Sequence, residues 1–136
     1  MVIELIEVIQ AQSHYDFLYE LLRKRPKKHN ISHKEMPTLK EHEAFVQRRP
    51  YHSWWIININ GEDIGSVYIT RRLCEIGIHL LEENDEIKGI VVDCIKRRFP
   101  KMRLLANVAI DNIEGQKFWE SQGFKKLQVT YELEGE

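Results

Sequence analysis

Residues 53–81, SWWIININGEDIGSVYITRRLCEIGIHLL, hold two runs of β-branched and aromatic residues on either side of Asn60-Gly61, and then a third such run. Asn-Gly takes the two left-handed conformations that a two-residue hairpin turn requires, so the first two runs are antiparallel partners. The third run puts Cys74, Ile76, Ile78 and Leu80 on one side of a strand and Glu75, Gly77, His79 and Leu81 on the other. The first set belongs to a core, and the second brings a carboxylate and an imidazole onto one strand face. By the same alternation Trp54 and Trp55 point to opposite faces, so one of the two is core.

Downstream of this meander the period changes. NDEIKGIVVDCIKRRFP (84–100) reads as a helix with Ile87, Ile90, Val91, Cys94 and Ile95 as its apolar stripe, closed by Pro100. MRLLANVAI (102–110) reads as a buried strand, and DNIEGQKFWESQGF (111–124) as a second helix. Asp111 and Glu114 have capping-box spacing, and Gly123 supplies the left-handed stop. Gly115, Phe118 and Trp119 share one face, which leaves a hollow beside two rings where a backbone or a thin ligand can approach. FKKLQVTYELE (124–134) alternates Leu127, Val129, Tyr131 and Leu133 with Lys126, Gln128, Thr130 and Glu132, the pattern of a half-buried strand.

Upstream, Val2–Ile9 is β-rich and apolar. SHYDFLYELLRKRP (13–26) follows as a helix opened by Ser13 and Asp16, burying Phe17, Leu18, Leu21 and Leu22 and stopping before Pro26. Its last turn gathers Arg23, Lys24 and Arg25, where the macrodipole is negative. PTLKEHEAFVQRRP (37–50) repeats the device, with Thr38 and Glu41 as capping box, a stripe of Leu39, His42, Phe45 and Val46, and Pro50 as stop. The order β-α-α-β-β-β-α-β-α-β defines an α/β chain: one mixed sheet with helices on its faces and a right-handed crossover.

Composition bounds what such a chain does. At 136 residues, 43% hydrophobic and 30% charged, residues 1–136 fit a single domain able to bury about two thirds of its unfolded surface. A net charge of −1 argues against nucleic-acid binding by bulk electrostatics. Cys74 and Cys94 sit in apolar runs without a partner motif and read as reduced core residues. His29 and His33 have helical spacing but no third ligand, so no metal site is expected. The opening MVIELIEVIQ lacks a signal peptide's basic start, and no apolar run approaches membrane length, so a cytoplasmic protein without a membrane partner is expected.

The whole chain resembles the GNAT superfamily of N-acetyltransferases, in element order and in four stretches: MPTLKEHEAFV (36–46), NGEDIGSVYI (60–69), EIGIHLLEENDEIKGI (75–90) and NVAIDNIEGQKFWESQGF (107–124). The resemblance implies acetyl-CoA as cosubstrate, lying against the last helix, with Gly115 making room for the pantetheine arm and Asn112 hydrogen-bonding its amides. It implies that backbone N–H groups of His79, Leu80 and Leu81 hold the thioester carbonyl and pantetheine. The pyrophosphate would face Glu86, Ile87, Lys88, Gly89 and Ile90.

Three departures stand out against the family pattern. Its phosphate loop, Q/R-x-x-G-x-G/A, aligns with Glu86–Val91, where Gly89 alone survives among the acids Glu82, Glu83, Asp85 and Glu86. Many members carry a proton-donating tyrosine where Trp119 stands; an indole N–H is no acid, so Trp119 lines the thioester channel and the thiolate's proton comes from water. The seventh strand that usually follows is absent, which leaves an edge for a homodimer built on residues 124–133.

Acetyl transfer needs a neutral amine, and an ordinary lysine-like amine is neutral in only about one molecule per few thousand at pH 7. A general base is therefore useful. Glu75 and His79 are the catalytic candidates, Glu75 first; Glu75 paired with Arg71 or Arg72, and His79 as a half-buried hydrogen-bonded residue, are the plain structural readings. Trp54 or Trp55, Tyr68 and Tyr131 are candidates to line the acceptor pocket. The PTLKEHEAFV and LQVTYEL stretches are similar to GNAT members that acetylate nucleotide-linked amino sugars, so the expected acceptor is a small-molecule amine of that kind. The alternative is a GNAT-fold binding module that has lost turnover.

Overall fold

A computed structural model of the chain describes residues 1–25 and 35–135. His29 and His33 lie outside the described residues. The elements are β1 (Ile3–Glu7), α1 (Gln12–Lys24), α2 (Leu39–Gln47), β2 (Tyr51–Ile59), β3 (Glu62–Thr70), β4 (Ile76–Leu80), α3 (Asp85–Arg98) and α4 (Ile113–Ser121). The four strands form an antiparallel sheet in the order β1-β2-β3-β4.

The β2–β3 hairpin turns where the sequence places it. Asn60 has φ 51° and Gly61 φ 88°, and Asn58 closes the turn by accepting from the Gly61 amide at 3.0 Å while donating to Asp63 at 2.9 Å. Trp55 pairs with Val67 and Tyr68 with Gly77, so every second residue shares a face. One face, formed by Trp55, Ile57, Val67, Ile69, Ile76 and Ile78, packs on Val91, Val92 and Ile95 of α3 and Phe118 of α4. Most of these side chains are fully buried, each stabilising the fold by about 1.5–3 kcal/mol. The other face packs Ile56 and, in part, Trp54 against Tyr15 and Leu18 of α1 and Val46 of α2. Trp55 is thus the core tryptophan, and Trp54 stands on the side of α1 and α2.

Capping differs from expectation in two places. α2 has the full capping box, Glu41 N to Thr38 Oγ1 at 3.1 Å and Thr38 N to Glu41 Oε1 at 2.9 Å. α1 begins after Ala11 with no side-chain cap, so Ser13 is inside the helix. α4 is capped by Asn112, whose Oδ1 accepts from Gly115 N at 3.0 Å, rather than by Asp111. Gly123, at φ 92°, ends that helix as expected.

Two expected strands do not form ladders. Residues 102–110 make one parallel bridge, Leu105 with Glu75, and residues 124–135 pair with nothing in the described sheet. A strand is defined by its neighbour, and neither stretch has one along its length. No helix is long and apolar enough to cross a membrane.

Candidate active site

The single bridge at Leu105 marks where β4 and the following segment part. Leu105 N donates to Cys74 O at 3.1 Å and Ile76 N to Leu105 O at 2.7 Å; beyond that no backbone bond joins the two. Leu81 N donates to Ile64 O at 2.9 Å, and Glu75 O accepts from Thr70 N at 2.9 Å. Residues 75, 77, 79 and 81 therefore face β3 with their backbone groups, and Ile78 and Leu80 turn theirs to the open edge. The expected amide donors shift accordingly. Of His79, Leu80 and Leu81, only Leu80 is on the free side, and Ile78 joins it.

On the α1/α2 side of β4 stand Glu75, Gly77 and His79. Asn107 Nδ2 donates to the Glu75 carboxylate across the mouth of the parting. Glu75 does not pair with Arg71, whose Nη2 donates to Arg49 O at 2.7 Å. The phenol of Tyr68 lies over Gly77: a Cβ there would stand 2.3 Å from Tyr68 Cζ. Tyr68 in turn stacks on Tyr51, ring centroids 4.2 Å apart and nearly parallel, and tilts against His79 at 5.9 Å.

These rings line a cavity of about 190 Å³ between the sheet and the helices α1 and α2. Phe45 of α2 and Arg48 just after it, Tyr51 and Trp54 of β2, and Arg25 at the end of α1 complete its wall. Burial raises the proton affinity of both phenols, so Tyr51 and Tyr68 stay protonated; for Tyr68 the Arg25 charge opposes this and Glu75 adds to it. Burial, with the Arg25 and Lys88 charges behind it, lowers the His79 pKa to about 3. The imidazole is therefore neutral at physiological pH, a hydrogen-bonding group rather than a proton acceptor there. His79 Nε2 and Trp54 Nε1 are both buried without a hydrogen-bond partner, each costing about 1–3 kcal/mol.

At the far end of the parting, α3 and α4 begin. Asn84 caps α3, taking Ile87 N on its side chain at 3.0 Å and Lys88 N on its carbonyl at 3.1 Å. Of the expected phosphate-facing run, the amides of Ile87 and Lys88 are thus occupied, and Asp85 and Glu86 hold the uncapped ones. Lys88 pairs with Glu83 and lies 5.5 Å from the Phe118 ring, and Gly89 faces Gln122. Ile90 follows within the helix. On α4, the hollow at Gly115 is filled: a Cβ there would meet Asn112 Nδ2 at 2.6 Å and Val108 Cγ1 at 3.0 Å. The glycine accommodates its own helix cap. Trp119 is wedged between Phe118 and Phe124, centroids 5.0 and 4.9 Å away.

The structure gathers His79, Trp54 and Tyr68 around one cavity beside the parted strand, and Glu75, outside that lining, is near enough to Tyr68 for its charge to act on the phenol. Tyr131 is elsewhere, almost wholly exposed on the final segment. Sequence reasoning missed Asn107, Tyr51 and Arg25. Arg25 has a ready local reason at a helix C-terminus, which hides its turn into the cavity. Among the described residues no group of three metal-ligating side chains is placed to hold an ion.

The fold is that of the GNAT acetyltransferases. A domain from Methanocaldococcus jannaschii superposes with a TM-score of 0.79 at 24% identity, covering 96% of this chain and 93% of that one. An acetyltransferase from Salmonella typhimurium that modifies the N-terminal serine of ribosomal protein L7/L12 superposes with a TM-score of 0.71 at 17% identity, over 90% of this chain and 80% of its own. An aminoglycoside acetyltransferase in complex with coenzyme A gives 0.63 at 16% identity, over 93% and 86%. No family model matches the sequence, and no curated protein matches it significantly.

Proposed function

We propose that this chain is an acetyl-CoA-dependent N-acetyltransferase acting on the primary amine of a small molecule. The observation that supports it best is the open edge of β4 at Ile78 and Leu80, with Glu75 beside it and an aromatic cavity behind. Acetyl-CoA supplies a thioester whose carbonyl carbon accepts the amine. Ile78 and Leu80 amides donate to its carbonyl oxygen and pantetheine, and preorganised donors of this kind stabilise developing negative charge. The free amides of Asp85 and Glu86 take the phosphates, with Lys88 released from Glu83; Ile87, Gly89 and Ile90 shape that first turn. Asn112 Nδ2, beside Gly115, and the Trp119 ring flank the arm.

Glu75 takes the proton that the acceptor ammonium must lose, directly or through water, and Asn107 orients it. Neutralising the amine opposes the reaction by about 4–5 kcal/mol at neutral pH, so a fixed carboxylate at the amine is worth most there. His79 stays neutral and contributes a hydrogen bond. The thiolate is protonated by water. The acceptor sits among Trp54, Tyr68 and Tyr51, and a nucleotide-linked amino sugar is one amine of the class proposed. The exposed alternation of residues 127–133 supports a homodimer in which that stretch finds a partner.

A binding module without turnover is the second reading, favoured by the filled Gly115 hollow and the acids at the start of α3. Thermal-shift titration with acetyl-CoA separates binding from none: melting rises with ligand if the native state binds it, and no rise at millimolar ligand rejects the enzyme. Where binding holds, Glu75→Gln is expected to lower turnover by a factor of about 10²–10⁴ with the thermal shift retained. Unchanged turnover would remove Glu75 as base.

A further inference from the structure

We infer that the acceptor amine carries an anionic group, a carboxylate or a phosphate, which the guanidinium of Arg25 holds inside the cavity. The inference rests on reading that cavity as the acceptor site.

Three basic residues end α1, and they differ in what they meet. Arg23 and Lys24 turn to Glu20. Arg25, whose backbone has already left the helix at ψ 132°, lines the cavity beside Tyr51 and Tyr68. No acid of the described residues pairs with it, and residues 26–34, PKKHNISHK, contain no Asp or Glu. Glu41 also lines the cavity, but its carboxylate holds the Thr38 amide. Arg48, on the same wall, adds a second positive charge. A half-buried guanidinium without a counter-ion is costly, and burial lowers its proton affinity accordingly.

A bound anion removes that cost, and the planar fork of arginine matches a carboxylate or phosphate with two parallel hydrogen bonds. The placement also has a direction. The Tyr68 phenol is near enough to both Arg25 and Glu75 for each charge to act on it. A molecule with its anion on Arg25 and its amine toward Glu75 spans the flat wall of Tyr51 and Tyr68. The polar ring nitrogens of Trp54 and His79 in that wall lack partners, and a ligand rich in oxygen supplies acceptors for them. The cavity's size suits a small molecule of this kind or one end of a larger one.

Calorimetric binding of matched pairs tests this: β-alanine against β-alaninamide, phosphoethanolamine against ethanolamine, and a nucleotide-linked amino sugar against the free amino sugar. The anionic member of at least one pair is expected to bind about tenfold tighter or more, the equivalent of about 1.4 kcal/mol. The pair that responds identifies carboxylate or phosphate. Arg25→Gln abolishes the preference and Arg25→Lys retains part of it, with melting temperature reporting that both variants fold. Equal binding within every pair, a preference that survives in Arg25→Gln, or no binding of any anionic amine at millimolar concentration overturns the inference. Acetyl-CoA binding is scored separately. A preference without acetyl-CoA binding leaves the Arg25 site standing and removes the acetyltransferase reading; acetyl-CoA binding without a preference does the reverse.

Discussion

A Cβ on Gly77 would stand 2.3 Å from Cζ of Tyr68 and 2.5 Å from its hydroxyl, so the missing side chain is what lets the phenol lie across β4. Gly77→Ala is expected to destabilise the fold by about 1–3 kcal/mol, the usual cost of overpacking. In a Tyr68→Ala background the same substitution should cost clearly less, because the two groups meet; equal costs in both backgrounds would show that the contact is not the cause. His79 gives a pH prediction of definite sign. Its folded pKa, about 3, lies below the ordinary 6.5, so the unfolded chain binds the extra proton as pH falls. Stability is unaffected above about pH 6.5 and falls on acidification towards pH 3, by at most about 1.4 kcal/mol per pH unit. Urea unfolding at several pH values should show a shallower acid limb in His79→Gln, and identical limbs would mean the imidazole titrates normally. Both residues were legible because strand alternation alone puts Glu75, Gly77 and His79 on one face. Arg25 was not, since its direction depends on where the chain goes after α1 ends.

At the scale of an element, α4 shows how a glycine can be read correctly as a hollow and wrongly as to its occupant. Periodicity places Gly115 beside Phe118, but only the cap geometry reveals that Asn112 folds its amide into the space. Asp111 and Asn112 are adjacent and both cap well, so the sequence leaves the choice within one residue. Asn112→Ala is expected to cost about 1 kcal/mol, the ordinary value of an N-cap. Gly115→Ala sets two effects against each other: alanine favours a helix by about 0.5–1 kcal/mol, while its methyl displaces the cap. The single substitution should therefore destabilise, and its cost should shrink in the Asn112→Ala background, where of the three nearest atoms Val108 Cγ1 at 3.0 Å remains. A double-mutant cycle by urea unfolding measures the difference, and additive costs would place the glycine's role elsewhere. The hairpin and the α2 capping box, by contrast, were legible in full, because Asn-Gly and Thr-x-x-Glu fix their own hydrogen bonds locally.

On the scale of the whole molecule, what could not be read was pairing between distant segments. Residues 124–134 have strand alternation, yet Leu127, Val129 and Leu133 are 60%, 65% and 98% exposed, and no strand among the described residues pairs with this stretch. A period of two specifies which side chains share a face; it does not specify a partner for the backbone. Residues 102–110 have the same difficulty, with one bridge where a ladder was expected. If a second copy supplies the missing neighbour, sedimentation should give about twice the 16.2 kDa of one chain. Burying one such aliphatic side chain stabilises an interface by about 1.5–3 kcal/mol before association costs, so Val129→Lys with Leu133→Lys should shift the equilibrium to monomer. Amide exchange adds a readout independent of mass. The amides of residues 125–133 should be protected at concentrations where the dimer forms and exchange freely on dilution or in the double variant. A wild-type chain that sediments as a monomer with these amides unprotected would mean that residues 124–134, although patterned as a strand, are not paired through a second copy.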